Sequence, residues 1–427
     1  MRTIAFHTLG CKLNFAESSY LAGIFTAKGY VQVEFKEKAD VYVINTCTVT
    51  RIAEKKCRNA IRVARNLNPE AIIAVMGCMS QINDKEIEKI EGVDLIIGND
   101  DKTKLVDLIE ERQTKSPTEN LVFDISRLKS YYPSYSSSDR TRSFLKIQDG
   151  CDYFCTYCAI PYSRGRSRND DIASVVAQAK ILAGQSKKEV VLTGVNIGDF
   201  GKSTGESFLD LIKALDKVEG IERYRISSIE PNLITEEVID FCVESKAFLP
   251  HFHIPLQAGT NKILRLMKRK YERELFAQRV NYINKVMPHA FIAADVIVGF
   301  PGETEEDFEE AKSFIDALPF AALHVFTYSE RPGTPAASMQ GCVPMSERHR
   351  RSEELQKISI RKKEEFYLKN KGKELNVLWE SDEEDGMMFG FTDNYIRVGR
   401  KYDKRYINTI TKEKIEIIDN KYKAYIL

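Results

Sequence analysis

Several things are scarce in this chain. Its 63 Lys and Arg against 62 Asp and Glu leave a net charge of only +1. No whole-molecule field therefore draws it to nucleic acid, and any such affinity has to come from local patches and fall with salt. No apolar run reaches the roughly 20 residues that a bilayer-crossing helix needs. The first six residues read as a strand rather than a secretory leader, so a cytoplasmic protein is expected. The nine cysteines, an odd number, follow no disulfide-like pattern. Reduced, metal-ligating thiols fit that usage better. At 427 residues with 43% hydrophobic content the chain is too long for one core and rich enough for two or three.

What the chain does have is a loop crowded with thiols. Cys151-Asp152-Tyr153-Phe154-Cys155-Thr156-Tyr157-Cys158 places three cysteines within eight residues. Three thiols cannot all pair as disulfides, and a closed zinc site wants four ligands, usually as two separate pairs. Iron–sulfur clusters take thiolates from such short runs, and three ligands would leave one iron open to a small molecule. Three reduced cysteines in an ordinary loop, or a zinc knuckle with a distant fourth ligand, are the bland alternatives.

The first third alternates strands and helices. Strands are predicted over 2–9, 41–45, 71–76 and 94–97, and helices over 15–28, 50–67 (Thr50 as N-cap) and 102–111. This pattern predicts an α/β fold with a doubly wound parallel sheet. Cys11, Cys47 and Cys78 each fall just past a predicted strand. In an open parallel sheet those carboxyl ends share the edge where ligands bind. The three could therefore reach one cluster, although a lone cysteine is more often a small buried hydrophobe. Cys57 falls in mid-helix and reads as structural. Gly10-Cys11-Lys12-Leu13-Asn14 lacks the glycines of a phosphate-binding fingerprint.

Residues 130–138 carry turn residues without apolar periodicity and read as a linker. Strands and helices then alternate six times, matching a partial barrel whose working face is the carboxyl end of its strands. Polar and glycine groups follow those strands at 193–196, 228–231, 256–259, 299–303 and 328–329. His251 and His253 alternate on one strand and read as interior histidines rather than ligands. The acidic run 303–310 reads as a helix start. After a long charged helix over 346–371, five short strands (374–379, 389–391, 395–398, 406–410 and 414–418) predict a small β-barrel. Arg397, Arg400, Lys401, Lys404 and Arg405 lie near Phe391, Tyr395, Tyr402 and Tyr406, a mixture that suits single-stranded nucleic acid. Arg164, Arg166, Arg168 and the run Lys268-Arg269-Lys270 add positive charge that is expected to reach phosphates near the active face.

These motifs converge on a family. Cys151, Cys155 and Cys158, followed by Ala159-Ile160-Pro161-Tyr162-Ser163-Arg164-Gly165, resemble the radical S-adenosylmethionine motif of the methylthiotransferases. Gly10-Cys11-Lys12, Asn45-Thr46-Cys47 and Met76-Gly77-Cys78 are similar to the three cysteine motifs of that family's N-terminal domain, and the C-terminal barrel to its RNA-binding TRAM domain. The resemblance spans essentially the whole chain. It implies an auxiliary 4Fe–4S cluster on Cys11, Cys47 and Cys78, a radical-SAM 4Fe–4S cluster on Cys151, Cys155 and Cys158, and S-adenosylmethionine as methyl donor and radical source. Tyr157, Asn196, Glu230 and Gln257 are the expected S-adenosylmethionine contacts, with Tyr157 packing near the adenine through its backbone. The implied division is 1–125 for the methylthiotransferase domain, 126–140 for a linker, 141–365 for a radical-SAM partial (β/α)6 barrel and 366–427 for the TRAM-like domain. Expected partners are a tRNA anticodon stem-loop, a flavodoxin- or ferredoxin-type electron donor and a sulfur donor, with no membrane. Branches of the family act on threonylcarbamoyl-adenosine or isopentenyl-adenosine in tRNA, or on a ribosomal-protein aspartate. Residues 9–14, 45–50 and 192–198 resemble the threonylcarbamoyl branch. One small departure is Ala258-Gly259-Thr260, where serines are usual in the family. A rival reading from another class is an RNA-binding scaffold whose clusters only sense redox state.

Overall fold

The computed structural model describes residues 1–47, 51–100, 102–112, 117–136, 141–419, 421 and 423–427, with backbone alone for 51–54. Strands β1 (Thr3–Thr8), β2 (Val31–Val33), β3 (Val41–Thr46), β4 (Ile72–Gly77), β5 (Leu95–Ile96) and β6 (Glu119–Asn120) form one parallel sheet in the order β2-β1-β3-β4-β5-β6. Every residue of β3 and β4 is buried. That is why Val41–Thr46 and Ile72–Gly77 read as nearly unbroken apolar runs: helices cover both faces of the sheet. Helix Arg51–Leu67 packs Ile61 and Ala64 against Tyr42, Ile44 and Ile73 on one face. Helices Lys12–Ala27 and Lys104–Glu111 pack Phe25 and Leu105 against Val43 and Met76 on the other. The doubly wound sheet is as expected. Two edge strands, β2 and β6, were not signalled, because one is largely exposed and the other is two polar residues long. Thr50, expected as a helix cap, lies outside the described residues.

The middle of the chain carries two three-stranded parallel sheets. One joins β7 (Arg142–Lys146), β8 (Glu189–Thr193) and β9 (Arg223–Ile226); the other joins β10 (His251–His253), β11 (Phe291–Val298) and β12 (Ala322–Thr327). Isolated parallel bridges at Tyr224–Phe248 and Ser228–His253 link the two. Helices Ile172–Gly184, Phe208–Leu215, Glu236–Glu244 and Glu305–Ala317 start on Asp171, Ser207, Thr235 and Thr304, each accepting a backbone N–H three residues on. Thr304 and Asp307 complete a capping box, so the acidic run at 303–310 does start a helix.

Residues 131–136 run along the interior, buried or half-buried, instead of bridging solvent. Tyr132 Oη donates to Glu17 at 2.8 Å, Tyr131 Oη donates to the Lys146 carbonyl at 2.8 Å, and Ser134 is fully buried. Tyr135 pairs with Leu145 and packs edge-on against Tyr20, so no tyrosine of this stretch is laid open for base stacking. Hydroxyl-to-protein bonds, invisible to a periodicity argument, hold it there.

Helix Met345–Asn370 leads to a mixed sheet of β13 (Glu374–Glu384), β14 (Met387–Thr392), β15 (Arg397–Lys401), β16 (Ile410–Lys414), β17 (Ile417–Asp419) and β18 (Ala424–Ile426), ordered β16-β13-β14-β15-β18-β17. All its pairs are antiparallel except β15–β18. It has six strands where five were expected. Tyr395 takes φ +65° in the turn before β15, and Lys404–Tyr406 is a 3-10 turn opened by Asp403, so neither belongs to a strand. Arg223 fixes this sheet to the middle region by donating to the carbonyls of Phe391 (3.1 Å) and Asn376 (2.8 Å).

Candidate active site

The 149–168 loop closes on itself. Asp149 and Arg168 exchange two backbone hydrogen bonds of 2.9 Å, and Cys151 N–H reaches the Gly165 carbonyl at 3.0 Å. Gly150, at φ +70°, admits no side chain: a Cβ there would lie 1.9 Å from the Arg166 carbonyl oxygen. This ring of backbone brings the three thiols together. Burial and the neighbouring thiols push Cys151 up to about 12, and burial with Cys155 does the same to Cys158. Donors already face the sulfurs. Tyr153 N–H donates to Cys151 Sγ (3.5 Å), and Arg269 Nη1 donates to Cys155 Sγ (3.1 Å) and Tyr157 Oη (3.3 Å) while Nη2 grips Glu230. Free thiols ringed by N–H donors are a donor set that fits an iron–sulfur cluster, whose sulfurs accept such bonds.

The second set of thiols is built by the sheet. Cys11, Cys47 and Cys78 follow β1, β3 and β4, three adjacent strands, at the point where the strand order reverses. Gly10 and Gly77 both sit at φ +104°. A Cβ on Gly10 would come within 2.9 Å of Cys47 Sγ, and one on Gly77 within 2.6 Å of the Thr46 carbonyl oxygen. Asn14 Nδ2 ties the ends of β1 and β3 by donating to the carbonyls of Leu9 (2.9 Å) and Thr46 (3.0 Å). Cys47 and Cys78 are buried and Cys11 is exposed. Asn99 Nδ2 lies 3.5 Å from Cys78 Sγ and 2.9 Å from the Ser163 carbonyl, so it ties the sheet thiols to the loop that carries the other set. Cys57 is buried in the core beneath, as expected.

Between the two triads lies a sealed ionic cluster. Glu17 accepts from Arg164 (3.0 and 3.2 Å), Lys146 (3.4 Å), Lys102 and Tyr132. Asp149 accepts from Lys146 (2.9 Å), Arg164 (3.0 Å) and Arg168 (3.0 Å). Those cations hold the Glu17 carboxyl well below its usual range despite burial, which alone would raise it. Four buried cations face two carboxylates, an excess of two positive charges, and Arg164 lies near the Cys78 thiol. Thiolates carrying an anionic cluster would neutralise that excess, a second sign that the residues fit one. The arrangement corrects the expectation that Arg164, Arg168 and Arg269 reach phosphates. All three side chains are buried in ion pairs, and Arg166 alone of the 164–168 group is exposed.

Two cavities adjoin the thiols. A small one of about 270 Å³ is lined by Tyr157, Cys158, Gln257, Asp295 and Ser329. A larger one of about 760 Å³ reaches from Cys11 past Arg225 and His251 to Phe391 and Tyr395, so all three regions of the chain form its wall. Asp295 joins the two: it lines the small cavity and bonds His253 (2.7 Å) and His324 (3.1 Å), which line the large one. Of the four expected cofactor contacts, Tyr157 and Gln257 lie in the small cavity with Cys158. Glu230 stands outside its lining and acts on Cys155 and Tyr157 through Arg269. Asn196 is also outside that lining; its backbone N–H is held by Gln148 Oε1 at 2.8 Å, and its side chain is buried beside Tyr153 and Asp199. Sequence reasoning missed Arg269 as a cluster-loop donor, and it missed Arg225, Asp295 and His324. Single charged residues at or within strands carry no motif.

The profile of the uncharacterized protein family UPF0004 matches residues 3–98, and that of the radical SAM superfamily matches residues 145–315. The chain is 42% identical to the threonylcarbamoyladenosine tRNA methylthiotransferase MtaB of Bacillus subtilis (strain 168), over 97% of this chain and 94% of that one. It is 33% identical to the tRNA-2-methylthio-N(6)-dimethylallyladenosine synthase of Staphylococcus haemolyticus (strain JCSC1435), over 97% of this chain and 83% of the relative. Among solved structures, the radical S-adenosylmethionine methyltransferase TsrM from Kitasatospora setae, with tryptophan substrate and a SAM analogue, superposes with a TM-score of 0.59 at 16% identity, over 79% of this chain and 75% of that one. That likeness carries the fold alone. With the fold, the two profiles and near full-length identity of this size in hand, the chain belongs to the radical-SAM tRNA methylthiotransferase family.

Proposed function

We propose that this protein transfers a methylthio group to carbon 2 of N6-threonylcarbamoyl-adenosine beside the anticodon of tRNA. The observation that carries the reading is the 42% identity to a threonylcarbamoyladenosine methylthiotransferase, against 33% to a dimethylallyladenosine synthase, each over 97% of this chain. Dimethylallyl (isopentenyl) adenosine is therefore the second reading. Cys151, Cys155 and Cys158 would hold a radical-SAM 4Fe–4S cluster and Cys11, Cys47 and Cys78 an auxiliary one. With S-adenosylmethionine bound, these groups supply the one-electron cleavage, the methyl group and the sulfur.

The chain's own residues bind, orient and shield. Arg269 donates to Cys155 and tethers Glu230, which fixes the cluster loop against the barrel. Tyr157 and Gln257 line the cavity that would take S-adenosylmethionine. The ionic cluster around Glu17 clamps the two thiol sets to one another with water excluded. We assign residues 1–125 to the methylthiotransferase domain, 141–365 to a partial (β/α)6 barrel and 366–427 to a TRAM-like RNA-binding domain. An anticodon stem-loop is the partner, its target base splayed out as single-stranded RNA allows. A flavodoxin- or ferredoxin-type electron donor and a sulfur donor complete the cycle in the cytoplasm. Among the described residues no helix is long and apolar enough to cross a membrane.

Mass spectrometry of tRNA nucleosides from cells with and without the gene tests the reading. Loss of methylthio-threonylcarbamoyl-adenosine, with its unmethylthiolated parent accumulating, is expected. Loss of methylthio-isopentenyl-adenosine instead would move the substrate to the second reading.

A further inference from the structure

The 760 Å³ cavity has an unusual wall. Lys12, Arg142, Arg225, Lys363 and Arg397 line it, and no Asp or Glu does. Arg142 and Arg397 are engaged from behind, by Glu380 and Glu384. Arg225 is only partly engaged. It is 2% exposed, its Nε and Nη2 lie 3.0 and 3.5 Å from Glu189, and its Nη1 has no partner at all. The same holds for His251, which is 7% exposed with its Nδ1 unpartnered. The guanidinium of Arg225 lies over the Tyr395 ring at 4.6 Å and the His251 ring meets the same ring at 4.8 Å, so both orphans share one corner. Lys12, an exposed residue beside Cys11, lines the same cavity and has no carboxylate within ion-pairing distance among the described residues. Burying the Arg225 and His251 nitrogens without partners costs about 1–3 kcal/mol each. A chain keeps such groups when a ligand supplies the missing acceptor.

The ligand chemistry follows. The corner offers one guanidinium N–H and one imidazole nitrogen, walled by aromatic rings, and the same cavity adds the Lys12 ammonium: a site for a single small anion on an otherwise flat, apolar molecule. The cavity volume lies within the range of small-molecule sites. We infer that Arg225, with His251 and Lys12, anchors the carboxylate of the threonyl side chain on the target nucleoside, and thereby selects that substrate over an isopentenyl one. The inference rests on the substrate reading above. An isopentenyl group would leave these polar atoms bare, and sites built around a polar substrate group discriminate strongly against analogues that lack it.

The test compares binding of three anticodon stem-loops to the reconstituted holoenzyme: one with threonylcarbamoyl-adenosine, one with its methyl ester, and one with plain adenosine. The wild-type protein should prefer acid to ester by about ten- to a hundredfold, the worth of one or two hydrogen bonds to a charged group. Arg225→Gln should bring that ratio close to one. Because Glu189 loses its nearest partner in that variant, Lys12→Met serves as a second one that breaks no ion pair, and it should cut the ratio severalfold. Equal binding of acid and ester by a wild-type protein that still methylthiolates the acid would overturn the anchor. Lys12→Met weakening the plain-adenosine stem-loop as much as the acid would place a backbone phosphate there, and would overturn it too. A preference for the acid without methylthiolation would uphold the anchor and instead sink the substrate reading.

Discussion

The two thiol triads solve one problem in opposite ways. Cys151, Cys155 and Cys158 lie in one eight-residue stretch, and a ring of local backbone hydrogen bonds gathers them. Cys11, Cys47 and Cys78 are spread over 68 residues and meet only because β1, β3 and β4 are neighbours in a sheet. The first triad is a property of the chain. The second is a property of the fold, so anything that loosens the sheet edge dissolves it. The ionic cluster around Glu17 and Asp149 stands between them and makes each depend on the other's placement.

The largest effect that would break this comparison is loss of a thiol. Cys155→Ala and Cys47→Ala should each abolish methylthiolation. Only Cys155→Ala should also abolish reductive formation of 5′-deoxyadenosine, measured by chromatography under dithionite. If Cys47→Ala stops that too, the triads do not have separate roles.

Next in size is Glu17→Ala. It strands Lys102, Lys146 and Arg164 without their shared carboxylate, and removal of one side of a buried ion pair costs about 3–5 kcal/mol. Denaturant unfolding should register it. The pH dependence has a definite sign. The folded Glu17 carboxyl is held below its free value, so its stabilisation is full above about pH 4.3 and drains away as pH falls towards the lower folded value. Glu17→Gln should flatten stability across that acid window, and an unchanged slope would remove Glu17 from the account.

What the sequence disclosed tracks this same division. The loop triad was legible from spacing. The sheet triad was legible because β3 and β4 are buried apolar runs that end at Thr46-Cys47 and Gly77-Cys78. Charge was misread at Arg164, Arg168 and Arg269, since a basic cluster beside an active face looks the same in sequence whether it meets phosphate or a buried carboxylate. Glu17 and Asp149, the partners that decide it, lie 147 and 15 residues from Arg164. The corner of Arg225 and His251 was not legible at all, because an unpartnered buried nitrogen exists only in three dimensions.

Two glycines sharpen the contrast at smaller scale. Gly150→Ala would drive a Cβ into the Arg166 carbonyl and should empty the loop triad, whereas Gly10→Ala meets Cys47 and should empty the sheet triad. Both sites also carry positive φ, a strain of about 1–3 kcal/mol for alanine. Iron content after reconstitution should halve in each, with 5′-deoxyadenosine formation surviving only in Gly10→Ala. Loss of all iron in either would mean that the triads assemble as one unit.

The smallest expected effect belongs to Arg269. Arg269→Lys keeps the charge but loses the planar fork that reaches Cys155, Tyr157 and Glu230 together. Outer partners of metal ligands are typically worth about tenfold or more, so 5′-deoxyadenosine formation should slow by about tenfold while iron content holds. Removing a hydrogen bond to a cluster sulfur should also lower the reduction potential of the loop cluster, because the donor stabilises the more negative, reduced state. A potentiometric titration followed by electron paramagnetic resonance reads that shift directly. A cluster held by Cys11, Cys47 and Cys78, in a different region of the chain from Arg269, should titrate as in the wild-type protein. A shift of both together would show that the guanidinium acts through the shared ionic cluster and not through Cys155.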